Sequence, residues 1–174
     1  MSKPKVLCVD DEQRVLNGLA LHLRRKYNLK TATSGAEGLK LIAEDGPFAV
    51  IISDMRMPQM NGAAFLAKVV EVSPDSVRMM LTGYSDIDAA IAAINHGQIF
   101  RFLTKPCPPD VLLKSVQAAV RQYELVTGER LLLEKTLRGS INLLIEILGM
   151  TNPAAFGRAM RIKNHVHKLA RAME

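Results

Sequence analysis

The amino-acid sequence predicts an α/β fold, with a doubly wound, five-stranded parallel sheet and a helical extension at the C-terminal end. Five short apolar segments alternate with five stretches that have helical apolar spacing, which is typical of repeated strand–helix units. The apolar segments are nearly continuous, as in strands buried on both faces. Four of them lead directly into polar residues, at the sheet edge where open α/β sheets bind ligands.

Each predicted strand is a short, mostly apolar run bounded by turn-forming residues. In chain order, the strands are expected at residues 5–9, 29–33, 49–54, 76–81 and 99–103. The helices are expected at residues 12–26, 35–45, 62–72 and 86–96, with a fifth that begins at Pro109. Ser34 is a suitable N-cap for the second helix, and Glu37 completes the capping-box pattern three residues later.

The fifth helix is expected to continue beyond a compact domain, because its apolar face persists past the soft break at Gly128. The spacing of its later apolar residues predicts a dimeric coiled coil, and an amphipathic helix packed on its own domain is the alternative. This seam consists of Leu133, Leu137, Ile141, Leu144 and Leu148. The predicted organisation is a domain over 1–124, a linker helix over 125–150, and the start of a truncated helical output region over 151–174.

The formal net charge of +6 divides into +2 for residues 1–124 and +4 for residues 125–174. A modestly basic tail is more typical of a solvated helix face than of a phosphate-binding stripe, so nucleic acid is not expected as a partner. No run of eighteen apolar residues occurs, which predicts a cytoplasmic protein without a membrane segment. Cys8 and Cys107 lack metal-ligand spacing, and Cys8 is expected in the core as a reduced thiol.

The chemistry-bearing residues stand at four predicted strand ends: Asp10, Asp11, Asp54, Thr82 and Lys105. Three crowded carboxylates repel one another unless a cation lies among them, and oxygen-only ligands suit Mg²⁺. A lysine and a hydroxyl suit phosphoryl oxygens. Alone, each residue has an ordinary structural explanation, such as a helix cap or a turn. Together they favour phosphoryl chemistry, with Asp54 as the phosphorylation site.

Residues 1–124 resemble the receiver domain of two-component response regulators. The resemblance rests on an acidic pair, a phosphoacceptor motif with the residues that follow it, a Thr-Gly pair and a Lys-Pro pair. These are Asp10-Asp11, Asp54-Met55-Arg56-Met57-Pro58 with Met60 and Gly62, Thr82-Gly83, and Lys105-Pro106. The resemblance implies a flavodoxin-like sheet of order 2-1-3-4-5 and a phosphorylation-gated switch rather than an enzyme.

The resemblance also implies the roles of the acidic residues. Asp54 would accept a phosphoryl group from a histidine kinase or a phosphotransfer protein, acting as a carboxylate nucleophile. The Mg²⁺ ion would be held by Asp10, Asp11, Asp54 and the backbone carbonyl of Arg56, and it would offset the charge of the transferring group.

Three further residues would respond to the phosphate. Lys105 would pair with it, in a chain segment where the Lys105–Pro106 peptide is expected to be cis. Thr82 would move to hydrogen-bond it, and Phe102 occupies the position of the family's switch aromatic. A strand aromatic is also ordinary packing, so for Phe102 both interpretations stay open.

The phosphate is expected to shift a conformational equilibrium and thereby change a dimer contact. That contact would use the face of the fourth strand, the 86–96 helix and the fifth strand, or the helix over 125–148.

Residues 132–159 resemble the opening of HD-GYP-related output regions, which are associated with cyclic di-GMP hydrolysis. The chain has no His-Asp dyad and no Gly-Tyr-Pro motif, and His165 and His167, two residues apart, are expected on different helix faces. The alternatives are therefore the regulatory part of such a phosphodiesterase, with catalytic residues beyond this chain, or of a DNA-binding regulator.

Overall fold

A computed structural model describes residues 3–83 and 99–151, together with residues 157 and 161. Its sheet has five strands in the order β2-β1-β3-β4-β5, and each neighbouring pair is parallel. The flavodoxin-like order expected from the resemblance is therefore confirmed. The strands are β1 (Lys5–Val9), β2 (Asn28–Ala32), β3 (Val50–Asp54), β4 (Val77–Thr82) and β5 (Arg101–Thr104).

Four helices lie in the described part of the chain, and the helix predicted over 86–96 falls outside it. The helices are α1 (Gln13–Leu23), α2 (Gly35–Asp45), α3 (Gly62–Val72) and α4 (Pro109–Thr151). Helix α1 ends three residues earlier than predicted. The amides of Lys26 and Tyr27 both donate to the carbonyl of Leu23, which closes a turn and places the buried Tyr27 before β2.

The predicted cap of α2 is present, with one difference in its partner. Ser34 Oγ accepts a hydrogen bond from the Glu37 amide at 3.2 Å, as a capping box requires. The Glu37 carboxylate, however, accepts from the amide of Thr33 at 2.7 Å and from its hydroxyl at 2.9 Å, instead of from the amide of Ser34. The reciprocal bond is thus displaced by one residue, and the cap still fixes the first turn of α2.

The apolar core lies on both faces of the sheet, because β3 is buried along its whole length and alternates its side chains between the two faces. Val50 and Ile52 pack with residues of α1 and α4, whereas Ile51 packs with Phe48 and with Phe65 of α3. The free thiol of Cys8 is buried in the first of these clusters, as predicted. Burial on both faces is what holds the end of β3 in place.

The chain divides into two compact units, Met1–Thr127 and Gly128–Glu174. In the second unit, the described part of α4 carries apolar side chains that are more than half exposed, among them Leu133, Leu137 and Leu144. The side chain of Leu148 lies outside the description. Within the described residues, no helix is long and apolar enough to cross a membrane.

Candidate functional site

The carboxyl ends of β1 and β3 bring three carboxylates together. Asp10 follows β1 directly, Asp54 is the last residue of β3, and Asp11 stands beside Asp10. Asp10 and Asp54 are buried and Asp11 is exposed. One carboxylate oxygen from each residue lies within 4.8 Å of the others. The acidic residues predicted from sequence therefore form one cluster, which solvent reaches from the side of Asp11.

Lys105 places its ammonium group between the two buried carboxylates. Its Nζ lies 2.7 Å from Asp10 Oδ2 and 3.0 Å from Asp54 Oδ1. The backbone positions this side chain, because the Lys105 amide donates to the carbonyl of Thr82 at 2.8 Å. The following peptide bond to Pro106 is cis, as expected. Charge-assisted hydrogen bonds of this length are among the stronger polar contacts in proteins.

The carboxylates and the lysine shift one another's protonation. Burial raises the pKa of the Asp54 carboxyl above its usual value and outweighs the opposing hydrogen bond and charge of Lys105, while the negative charge of Asp10 adds to the rise. Burial acts in the opposite sense on Lys105, but its hydrogen bonds to Asp10 and Asp54 prevail and raise the pKa of the ammonium group. Lys105 therefore stays charged at neutral pH and is the counter-ion of Asp54.

Local hydrogen bonds orient Asp10. Its Oδ1 accepts a hydrogen bond from the amide of Glu12 at 2.9 Å, in the manner of an Asx turn. Its own amide donates to the carbonyl of Ala32, which extends the β1–β2 ladder by one residue. One oxygen of Asp10 is thus held by the backbone before α1, and the other is directed at Lys105.

Gly62 positions the end of β3. The Gly62 amide donates to the carbonyl of Met55 at 2.9 Å, and a Cβ at position 62 would lie 1.9 Å from the backbone oxygen of Asp54. From the sequence alone, Gly62 was expected only as the first residue of the third helix and as part of the receiver-like motif. Its requirement for close backbone approach is visible only in three dimensions, because periodicity does not show which backbone atoms meet.

The loop between β3 and α3 has a tight geometry. Gln59 has a positive φ of 65°, and the amide of Met60 donates to the carbonyl of Pro58 at 2.7 Å, so Gln59 is the central residue of a γ-turn. Asn61 then caps α3, with its Oδ1 accepting from the amide of Ala64 at 2.8 Å. These bonds fix the path of the chain after Asp54.

Thr82, Phe102 and Arg56 lie close in sequence to the strand ends. Thr82 is buried and pairs in register with Thr104, and its hydroxyl lies 3.4 Å from the carbonyl oxygen of Gly83, at the long limit for a hydrogen bond. Phe102 is half-buried on the face of the sheet that carries α2 and α3. Arg56 is exposed in the loop after β3, and metal binding by its carbonyl stays a prediction.

The donor set fits a Mg²⁺ ion. Asp10, Asp11 and Asp54 supply only carboxylate oxygens, which are the hard ligands that Mg²⁺ prefers. When ionised, the three carboxylates carry three negative charges, and Lys105 contributes one positive charge. The remaining charge matches that of a divalent cation, and the exposure of Asp11 leaves room for the waters that Mg²⁺ retains.

Residues 6–117 match the family model of the response regulator receiver domain. Among curated proteins, the chain is 38% identical over 120 residues to the hydrogenase transcriptional regulatory protein HoxA of Bradyrhizobium diazoefficiens, covering 69% of this chain and 24% of that protein. It is 37% identical over 126 residues to the transcriptional regulatory protein GlrR of Escherichia coli, covering 72% and 28%. The chain therefore spans about a quarter of the length of these relatives.

Two solved structures are also similar. One, described as an adenylate cyclase from Rhodopirellula baltica, is 41% identical, with coverage of 78% of this chain and 99% of that chain and a TM-score of 0.73. The other, the signal receiver domain of an HD domain-containing protein from Pseudomonas fluorescens, is 30% identical, with coverage of 74% and 94% and a TM-score of 0.70. The names of these proteins differ in the activity that they describe.

These similarities do not identify the family or the function of the C-terminal region. The family match ends at residue 117, and the expected likeness of residues 132–159 to HD-GYP-related regions is not shown. The expectation that nucleic acid is not a partner is also not confirmed, because the curated relatives are named as transcriptional regulators.

Proposed function

The chain belongs to the response regulator receiver domain family, and on that premise we propose that it is a phosphorylation-gated switch whose phosphoacceptor is Asp54. The proposed donor is a histidine kinase or a phosphotransfer protein. The observation that carries the proposal is the pair of short contacts from Lys105 to Asp54 and Asp10, beside the exposed Asp11. This arrangement combines a nucleophile, a cation and a candidate metal site at one sheet edge.

In the proposed reaction, the Asp54 carboxylate attacks the phosphorus of a phosphohistidine. The new O–P bond forms as the N–P bond breaks, and the departing imidazole takes up a proton. Mg²⁺ bound by Asp10, Asp11 and Asp54, with the carbonyl of Arg56 as a further proposed ligand, would offset charge on the transferring group. Lys105 pairs with the Asp54 carboxylate beforehand and is close enough to pair with a phosphoryl oxygen afterwards.

The proposed response begins at Thr82 and Phe102. Among the described residues, the Thr82 hydroxyl makes one long contact, with the Gly83 carbonyl, so little is lost there when it turns towards a phosphoryl oxygen. In the sheet, Asp54 pairs with Leu81, and Leu81 in turn pairs with Leu103. The half-buried Phe102 immediately precedes Leu103. A population shift would then alter a contact that includes residues 86–103 or the helix over 125–148.

For the output we retain the proposed division into a receiver over 1–124, a signalling helix over 125–150 and a helical output region over 151–174. The names of the curated relatives favour control of transcription as the second candidate function. A cyclic di-GMP phosphodiesterase is supported only by the resemblance of residues 132–159. Salt-dependent DNA binding by the protein would support the former, and hydrolysis of cyclic di-GMP the latter.

The switch proposal is tested by treating the protein with acetyl phosphate and Mg²⁺ and recording its intact mass. We expect one added phosphoryl group in the wild type, none in Asp54→Asn, and strongly reduced addition in Asp11→Asn. Asp45→Asn is the matched control, because Asp45 is paired with Lys30 rather than with Lys105. Equal modification of wild type and Asp54→Asn contradicts the proposed acceptor.

A further inference from the structure

Helix α4 has a continuous apolar face that the described residues leave exposed. Eight large apolar side chains between positions 132 and 150 have exposed fractions of 48 to 82%. They are Leu132, Leu133, Leu137, Ile141, Leu143, Leu144, Ile147 and Met150. This face lies in the unit Gly128–Glu174, outside the phosphorylation site and outside the core of the first unit.

The eight side chains lie on one side of the helix. At about 100° per residue they fall within an arc of roughly 180°, which is wider than the seam of a strict two-residue heptad repeat. Between residues 132 and 147 the only polar residues within this arc are Thr136 and Ser140, both uncharged. The remaining surface of this segment carries most of its polar residues, among them Lys135, Arg138, Asn142 and Glu146. The face is therefore apolar and free of charge.

The size of the face is that of apolar patches that are often functional. Burial of a leucine side chain stabilises by about 2.5 kcal/mol, and each Å² of buried apolar surface contributes about 25 cal/mol. One leucine side chain therefore presents roughly 100 Å² of apolar surface. Eight such side chains, about 60% exposed, leave on the order of 500 Å² on one copy, which equals the largest apolar patch of a typical monomer. Covering this area on two copies removes roughly 1,000 Å², the lower limit for a specific interface.

We propose that this face, defined by the eight residues above, binds the same face of a second copy of the chain. A charge-free apolar face is complementary to itself, which is what a two-fold interface requires. At its centre, Leu133, Leu137, Ile141 and Leu144 follow one another at intervals of four, four and three residues, so they can pack as knobs between the residues of a partner helix. The absence of charge within the arc disfavours an acidic or basic partner.

Dimer formation is expected without phosphorylation, because none of the eight residues belongs to the phosphorylation site, and a phosphoryl group on Asp54 would alter this contact rather than create it. The test is the molar mass of the unphosphorylated protein in solution, measured by light scattering during size-exclusion chromatography. The wild type and Asp54→Asn are both expected to have twice the mass of one chain. A variant with Leu137→Glu and Leu144→Glu is expected to have the mass of one chain, because four carboxylates would then face one another in the dimer.

A matched variant carries Gly139→Glu and Asn142→Glu, which add the same charge outside the apolar arc. A Cβ at position 139 has no neighbour within 4 Å, so this variant is expected to remain dimeric. Unchanged thermal unfolding of the first unit verifies that each variant is folded. A monomeric wild type overturns the proposal, including one whose apolar face binds lipid vesicles or another protein. A variant with Leu137→Glu and Leu144→Glu that remains dimeric overturns it as well.

Discussion

Gly62→Ala is expected to destabilise the protein, although alanine is normally the better helix residue. A Cβ at position 62 would lie 1.9 Å from the backbone oxygen of Asp54 and 2.9 Å from its carbonyl carbon. Relief requires a backbone shift of at least about 1 Å, since no side-chain rotation can move the clashing oxygen. Overpacking of this kind costs about 1–3 kcal/mol or more, against a gain of at most about 1 kcal/mol from replacing glycine in a helix.

The expected net loss is therefore about 1–2 kcal/mol in the free energy of unfolding. The assay is urea denaturation followed by circular dichroism, together with the rate of phosphorylation by acetyl phosphate, which should fall because the shift moves Asp54. Gly18→Ala is the control. Gly18 is exposed within α1, with no atom within 4 Å of a Cβ, so this change should stabilise the protein by up to about 1 kcal/mol. A Gly62→Ala protein as stable as the wild type refutes the reasoning.

Three further predictions concern charge, capping and thiol access. Because the folded-state pKa of Lys105 is raised above 10.5, its ion pairs stabilise the fold fully below that pH. The difference in unfolding free energy between the wild type and Lys105→Met should shrink as the pH rises above 10.5, and a constant difference contradicts this. Ser34→Ala should cost about 1 kcal/mol in urea denaturation, and no change would show that the Oγ bond to Glu37 contributes nothing. A thiol reagent should modify only Cys107 in the folded protein, because Cys8 is fully buried and burial raises its pKa to about 12. Equally rapid labelling of both thiols counts against this packing.

Periodicity and turn chemistry were enough to locate most of the elements. The apolar run before Asp54 predicted a strand buried on both faces, and α3 has the predicted bounds because Asn61 and Gly62 begin it and Pro74 follows its end. The order of the strands required the family resemblance, since apolar spacing does not state which strands are neighbours. The end of α1 differed because tertiary burial of Tyr27, rather than helix propensity, determines where that chain segment turns.

The residues that form the site could be predicted from the sequence, whereas much of their geometry could not. Strand-end positions indicated that Asp10, Asp54 and Lys105 would meet, because parallel strands share one edge for their carboxyl ends. That a single ammonium group contacts both buried carboxylates depends on the path of the Lys105 backbone. The close approach of Gly62 to Asp54 depends on two backbones that meet only after folding.

The most direct test of the central claim is to locate the phosphoryl group. The protein is phosphorylated with acetyl phosphate and Mg²⁺ and then reduced with borohydride, which converts an aspartyl phosphate to homoserine. Peptide mass spectrometry then identifies the modified residue. The account predicts homoserine at position 54 in the wild type and none in Asp54→Asn. Homoserine at position 10 or 11 in the wild type, or an unmodified position 54 in protein that has gained a phosphoryl group, would contradict it.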